Sequence, residues 1–165
     1  MFVCKIRKAK ISDIESIREI YNKAIVETVA TFDTVEKSTE DMKKWFNAHG
    51  SKHPIIVSEI HNEIVGWASL SSYSTRCAYS DTTELSLYVK EEFQGQGIGD
   101  KLMERILEEG GKSGVRAILA RITDGNEISI KLHEKYGFFH VGVLKKVGKK
   151  FGKILDVYLM EKVYE

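Results

Sequence analysis

Apolar and polar residues alternate through the opening stretch FVCKIRKA, residues 2–9, which predicts a half-buried strand. The period then changes. Ile14, Ile17, Ile20, Tyr21, Ala24 and Ile25 recur at three- and four-residue spacing, the stripe of a helix lying on a core, with Ser12 and Glu15 in capping-box positions ahead of it. STEDMKKWFNAHG predicts a second, shorter helix closed by Gly50. PIIVSEI and IVGWASLSS, separated by HNE, have the pattern of an antiparallel hairpin, and TTELSLYV, Thr82 to Val89, is a further strand running into a glycine-rich stretch. Leu102, Ile106 and Leu107 mark a helix that GGKSG stops; RAILARI is a short buried strand, and NEISIKLHEKY a helix closed by Gly137. FFHVGVLKKVGKKFGKILDVYLMEKV then predicts two strands joined by a basic, glycine-containing loop. The order is that of a mixed α/β domain with antiparallel ends around a β-α-β-α heart.

No repeat or linker interrupts the pattern and the single proline is Pro54, so residues 1–165 are expected to form one domain. Lys and Arg number 25 against 24 Asp and Glu, a net charge of +1, so no global field draws the chain to nucleic acid or an acidic membrane, and any anion site is local. Cys4 and Cys77 lie far apart, which argues against a disulfide framework or zinc site and for a reducing compartment. The start, MFVCKIRKAK, has too short an apolar run for a signal peptide, and no run approaches the ~18 apolar residues of a membrane span; a cytoplasmic protein is expected. His49 and His53 are interrupted by Gly50 and Pro54, so no metal is assigned. KKVGKK lacks the aromatics that stack nucleic acid and is expected to be a turn.

The candidate chemistry centres on EEFQGQGIGDKLM, Glu91 to Met103. A dinucleotide fingerprint fails, because the last glycine position falls on Asp100 or Leu102, and a P-loop fails because Lys101 is followed by Leu102. What remains is Q-x-x-G-x-G, spelled by Gln94, Gly95, Gln96, Gly97, Ile98 and Gly99 between a strand and a helix. Unpaired N–H groups and the positive end of a helix dipole suit a phosphate or pyrophosphate, and missing Cβ atoms let it approach. A tight turn with no ligand is the other reading of these residues.

This motif resembles the pyrophosphate loop of the GNAT superfamily of N-acetyltransferases. The resemblance extends over nearly the whole chain and is most similar to the branch of phosphinothricin and methionine sulfoximine/sulfone acetyltransferases, through IYNKAIVETVATFDT, RCAYSDTTELSLYV, NEISIKLHEKYGF and GKKFGKILDVYLM. It implies the GNAT fold, a mixed and mostly antiparallel splayed sheet flanked by helices, with acetyl-CoA as co-substrate. Leu87, Tyr88 and Val89 would bind the pantetheine arm, Gln94 and Gly95 through Asp100 (Gln96, Gly97, Ile98 and Gly99 between) the pyrophosphate, and Asn126 the cofactor, although Asn126 also suits a simple helix N-cap.

Acetyl transfer needs a neutral amine, hence a base. Glu84, ahead of an otherwise apolar strand, matches the branch's catalytic glutamate, and partial burial would raise its pKa toward the operating pH; a solvent-facing edge-strand glutamate is the alternative. His133 is the candidate acid for the departing thiolate, with Tyr136 second. Cys77 has no histidine nearby in sequence and is not assigned a covalent role. For the acceptor, the resemblance points to Phe32, to Ser74, Thr75 and Arg76, and to Glu84, Leu85 and Ser86, with Arg76 able to pair with a carboxylate. Lys150 and Phe151 are expected in a terminal basic loop that is either solvated or helps across a dimer interface. Asp33 stands where some members carry arginine and disfavours a second anionic group on the acceptor. The expectation is a homodimeric N-acetyltransferase acting on the α-amine of a small amino acid or analogue. Peptide N-termini, polyamines, or a noncatalytic acyl-CoA-binding role are the alternatives.

Overall fold

The computed structural model describes residues 3–165; Phe2, at the head of the predicted first strand, lies outside them. In chain order the elements are β1 (Lys5–Lys8), α1 (Ile14–Glu27), α2 (Thr39–Asn47), β2 (Ile55–Ile60), β3 (Glu63–Ser72), β4 (Thr82–Val89), α3 (Ile98–Lys112), β5 (Ala117–Thr123), α4 (Glu127–Lys135), β6 (Phe139–Lys150) and β7 (Lys153–Val163). The strands form one sheet in the order β1-β2-β3-β4-β5-β7-β6. Among the described residues only β4 and β5 pair in parallel; every other neighbouring pair is antiparallel.

Each sheet face carries its own core because side chains alternate across a strand. Leu85 of β4 and Ile118 and Ile122 of β5 pack with Leu102, Met103 and Ile106 of α3 and Ile130 of α4. On the opposite face Val57 and Trp67 meet Ile14, Ile17, Ile20 and Met42 of α1 and α2, with Tyr21 and Tyr88 alongside. Burying each such aliphatic side chain contributes roughly 1.5–3 kcal/mol.

The ends of the elements depend on side chains that partner across distance. α1 does not start from the expected Ser12–Glu15 capping box: a short 3-10 turn, Ile11–Asp13, precedes it, and the Asp13 carboxylate accepts from Lys10 N at 2.7 Å. Arg7 of β1 donates to both Asp13 oxygens, at 2.8 and 2.9 Å, and this pairing holds the Asp13 pKa below the usual carboxylate range. α2 does carry a capping box, with Ser38 Oγ accepting from Asp41 N and Asp41 Oδ2 accepting from Ser38 N. The β2–β3 hairpin turns on His61 and Asn62, both at positive φ (49° and 64°), as a two-residue type I′ turn requires.

KKVGKK is not the expected turn. It lies inside β6, where three residues, Lys145 to Val147, bulge opposite Asp156; that carboxylate accepts from Lys146 N at 2.7 Å and Lys145 Nζ at 3.2 Å. The actual turn is Phe151–Gly152, with φ of 51° and 73°. No described helix is long and apolar enough to cross a membrane, and no group of three or more His, Cys, Asp or Glu among the described residues is arranged to hold a metal ion.

Candidate active site

The parallel ladder between β4 and β5 ends early, at Thr82↔Ala117, Thr83↔Ile118 and Glu84↔Leu119. Beyond Glu84 each strand stays with its outer neighbour: β4 pairs with β3 as far as Val89↔Gly66, and β5 with β7 as far as Thr123↔Val157. The two inner edges therefore diverge and present backbone N–H and C=O groups to the gap, the condition for an extended ligand to add as a strand. Leu85, Ser86, Leu87 and Tyr88, facing Ala120, Arg121 and Ile122, line the resulting cleft, which Ala30, Asn126 just ahead of α4, and Ser129, Leu132 and His133 within it complete.

The glycine motif lies just past β4. Gln94 Nε2 donates to Val89 O at 3.0 Å, folding the turn back on the strand end. Gly95 and Gly97 stand at φ of 73° and 79°, and a Cβ at either would meet nothing within 4 Å, so backbone conformation rather than space demands glycine. Gly97 is the N-cap of α3 and offers no capping side chain. The amides of Ile98, Gly99 and Asp100 thus open the helix with no intrahelical acceptor, a ready anion site. A Cβ on Gly99 would lie 3.5 Å from Leu132 Cδ2, packing this turn against α4. The Asp100 carboxylate is paired with Lys135, while the Tyr136 hydroxyl donates to Asp100 O at 3.1 Å. Tyr136 therefore ties α3 to α4 instead of standing ready as a proton donor; its pKa is raised, chiefly by burial and then by Asp100. Asn126 is the N-cap of α4, its Oδ1 accepting from Ser129 N at 3.3 Å, and it also lines the cleft.

Glu84 stands where the strands part. Its Oε2 lies 2.8 Å from Arg121 Nη2, with side-chain exposures of 29% and 52%. The carboxylate is paired with a cation, not isolated in the apolar setting that burial alone would give. Arg121 carries no signal of an established motif; what marks it is a charge inside the apolar run AILARI.

His133 is 6% exposed, and burial lowers its pKa, keeping the imidazole neutral near pH 7. Nδ1 lies 2.7 Å from Ser129 O, a group that can only accept, so Nδ1 carries the proton and Nε2 is an acceptor. The expected proton donor is in this state a potential proton acceptor. His49 is also buried, with its pKa lowered for the same reason. For both, the unfolded chain binds the proton more readily. Stability is therefore fully present above the unfolded value of about 6.5 and falls as pH drops through it. The thermal midpoint is expected to be flat from about pH 7 to 8 and to decline below about 6.5, with a shallower decline in His133→Gln, as read by calorimetry.

The acceptor-side residues separate into two groups. Phe32 lies on the α1–α2 connection, which Thr123 Oγ1 pins at Val29 O (2.6 Å) and Lys150 Nζ at Thr31 O (2.8 Å). Tyr21 OH hydrogen-bonds the Asp33 carboxylate and lies 3.0 Å from Thr31 Oγ1. Phe32 sits over Gly148, where an added Cβ would come within 2.2 Å of its ring. Lys150, expected in a basic loop, is a strand residue only 4% exposed; Phe151 is at the exposed turn. Tyr88 packs tilted against Trp67 and edge-on to Tyr21, at 5.1 and 5.3 Å between centroids, and burial pushes its pKa up to about 12. Ser74, Thr75 and Arg76 lie apart from the cleft wall, on the β3–β4 connection, where Ser74 Oγ accepts from Arg76 N at 3.2 Å and Arg76 is exposed.

This architecture has known counterparts. Residues 6–159 match the acetyltransferase (GNAT) domain family. The L-methionine sulfoximine/L-methionine sulfone acetyltransferase of Pseudomonas paraeruginosa is 33% identical over 158 residues, covering 94% of this chain and 92% of that protein. The phosphinothricin N-acetyltransferase of Streptomyces coelicolor is 31% identical over 162 residues, covering 96% and 95%. Among solved structures, a GNAT superfamily phosphinothricin acetyltransferase from Sinorhizobium meliloti in complex with acetyl-CoA superposes with a TM-score of 0.93 at 31% identity, covering 97% of this chain and 88% of that one. A sheet that splays at its one parallel pair, a glycine turn opening α3, and matches spanning nearly the full chain lead to one conclusion: the chain belongs to the GNAT N-acetyltransferases.

Proposed function

We propose that the chain transfers the acetyl group of acetyl-CoA to the α-amine of a small amino acid or amino-acid analogue, methionine sulfone, methionine sulfoximine and phosphinothricin being the compounds named for its relatives. One observation carries the reading: the β4–β5 ladder stops at Glu84, so a carboxylate stands where the strands part, and β4 runs on from it along the cleft toward the glycine turn that opens α3. The residues present fit the cofactor. A pyrophosphate suits the amides of Ile98, Gly99 and Asp100, beside glycines whose bare backbone permits close approach. The pantetheine arm suits the unpaired edge of Leu87 to Val89.

Bound there, acetyl-CoA supplies an activated acyl carbon. The amine nitrogen adds to the thioester carbonyl and the C–N bond forms; the C–S bond then breaks and the electron pair leaves on sulfur. Glu84 takes the amine proton directly or through one water, and His133 Nε2 is a second acceptor on the cleft wall. The thiolate, with a thiol reference pKa of about 8.5, can leave unprotonated and take its proton from water. Attack is direct, with no acyl-enzyme.

The test is acetyl-CoA-dependent release of free thiol with a panel of amino acids, their sulfone, sulfoximine and phosphinate analogues, peptides and polyamines. Turnover with amino-acid-like acceptors is expected. Turnover with polyamines alone would refute the substrate class.

A further inference from the structure

We infer that Arg121 reads the carboxylate of the acceptor, so that Glu84 and Arg121 together form a receptor for a zwitterionic α-amino acid. The inference rests on Glu84 receiving the amine. Arg121 is two positions past Leu119, the last β5 residue paired with β4, so it shares the sheet face of Leu119 and of Thr123, which anchors the Phe32 connection. It is also the arginine on the wall of the β4–β5 cleft.

The pairing geometry matches the ligand. Glu84 Oε2 and Arg121 Nη2 are 2.8 Å apart, a carboxylate and a cation in contact. An α-amino acid carries an ammonium and a carboxylate separated by a single carbon, the same charge pair in reverse. Laid against the protein pair, the amine faces Glu84 and the carboxylate faces Arg121. A guanidinium has N–H donors along more than one edge, so Arg121 can hold Glu84 through Nη2 and still offer a second edge to the ligand. With both side chains part-exposed, the protein pair is weakly held and can open to admit a ligand. Of the other charges near this side, Lys150 Nζ donates to Thr31 O, Asp33 accepts from Tyr21 and pairs with Lys37 at 3.4 Å, and Glu161 of β7, opposite Leu119, is an anion that does not attract a carboxylate. Arg76 lies on the exposed β3–β4 connection. A receptor of this kind selects free amino acids over peptide N-termini and polyamines, which lack the adjacent carboxylate.

The experiment compares L-methionine sulfone with its primary carboxamide in wild type, Arg121→Gln, Arg121→Lys, Arg76→Gln and Glu84→Gln, by thiol release and by calorimetric titration into CoA-saturated protein. Wild type is expected to favour the acid. Arg121→Gln should raise KM and Kd for the acid about ten- to a hundredfold and those for the amide far less, so that the acid-to-amide preference is lost, with partial recovery in Arg121→Lys. Thermal midpoints check that the variants fold. The assignment is overturned by a wild type that does not distinguish acid from amide, by equal losses on both in Arg121→Gln, or by a preference that collapses in Arg76→Gln and persists in Arg121→Gln. Glu84→Gln separates the two readings. Full turnover in that variant refutes the base, whereas the acid-to-amide binding ratio reports on Arg121 in either case.

Discussion

Glu84→Gln is expected to lower kcat by about 10²- to 10⁴-fold while the Kd for acetyl-CoA stays within about twofold. The substitution keeps the size of the side chain and an oxygen that can accept from Arg121, so the splayed strands have no reason to move. What it removes is the proton acceptor. The α-amine of an amino acid is mostly protonated at pH 7.4, and the variant would have to wait for the neutral minority. Its residual rate should therefore climb about tenfold per pH unit through the range where the wild-type rate has already levelled. Steady-state kinetics from pH 6.5 to 9.5 measure both features. A variant with wild-type kcat and a wild-type pH profile would remove Glu84 from the chemistry and leave His133 Nε2 as the acceptor to examine.

Gly97→Val should act on the opposite parameter. At φ of 79° a β-branched residue is strained by roughly 1–3 kcal/mol. The turn relaxes by rotating the amides that begin α3, and the new side chain stands over the end of a helix that Gly97 leaves bare. We expect KM for acetyl-CoA to rise at least about tenfold, with kcat at saturation close to wild type, because nothing in this turn touches the reacting carbon. Gly50→Ala is a fitting control, since a Cβ there meets nothing within 4 Å and the residue is not at positive φ. A loss of kcat without a change in KM would mean that the turn serves the fold and not the pyrophosphate.

Local pattern revealed much of this fold. The helical stripe of Ile14, Ile17 and Ile20, the short helix in STEDMKKWFNAHG, the β2–β3 hairpin and the Q-x-x-G-x-G turn each depend on residues within a few positions of one another. The misreadings share a cause: a partner far away in the chain. Asp13 displaces the Ser12–Glu15 box because Arg7 of β1 reaches it, and KKVGKK is strand because Asp156 of β7 takes its bulged amide. Lys150 is buried because Thr31 O, on a connection more than a hundred residues earlier, accepts its ammonium. At the site the sequence names Glu84 and His133 as candidates, but it does not carry their states. The Arg121 partner of Glu84 comes from another strand, and the protonated nitrogen of His133 is set by where α4 places Ser129 O. A carboxylate's neighbours across a gap leave no periodic trace.

The most direct measurement of the central claim is a crystal structure of the chain with acetyl-CoA. The account predicts the pyrophosphate on the amides of Ile98 to Asp100, the pantetheine arm paired along the open edge of β4, and the thioester beside Glu84. A coenzyme whose pyrophosphate lies away from that helix end, or whose sulfur emerges on the far side of the sheet from the carboxylate, would contradict it.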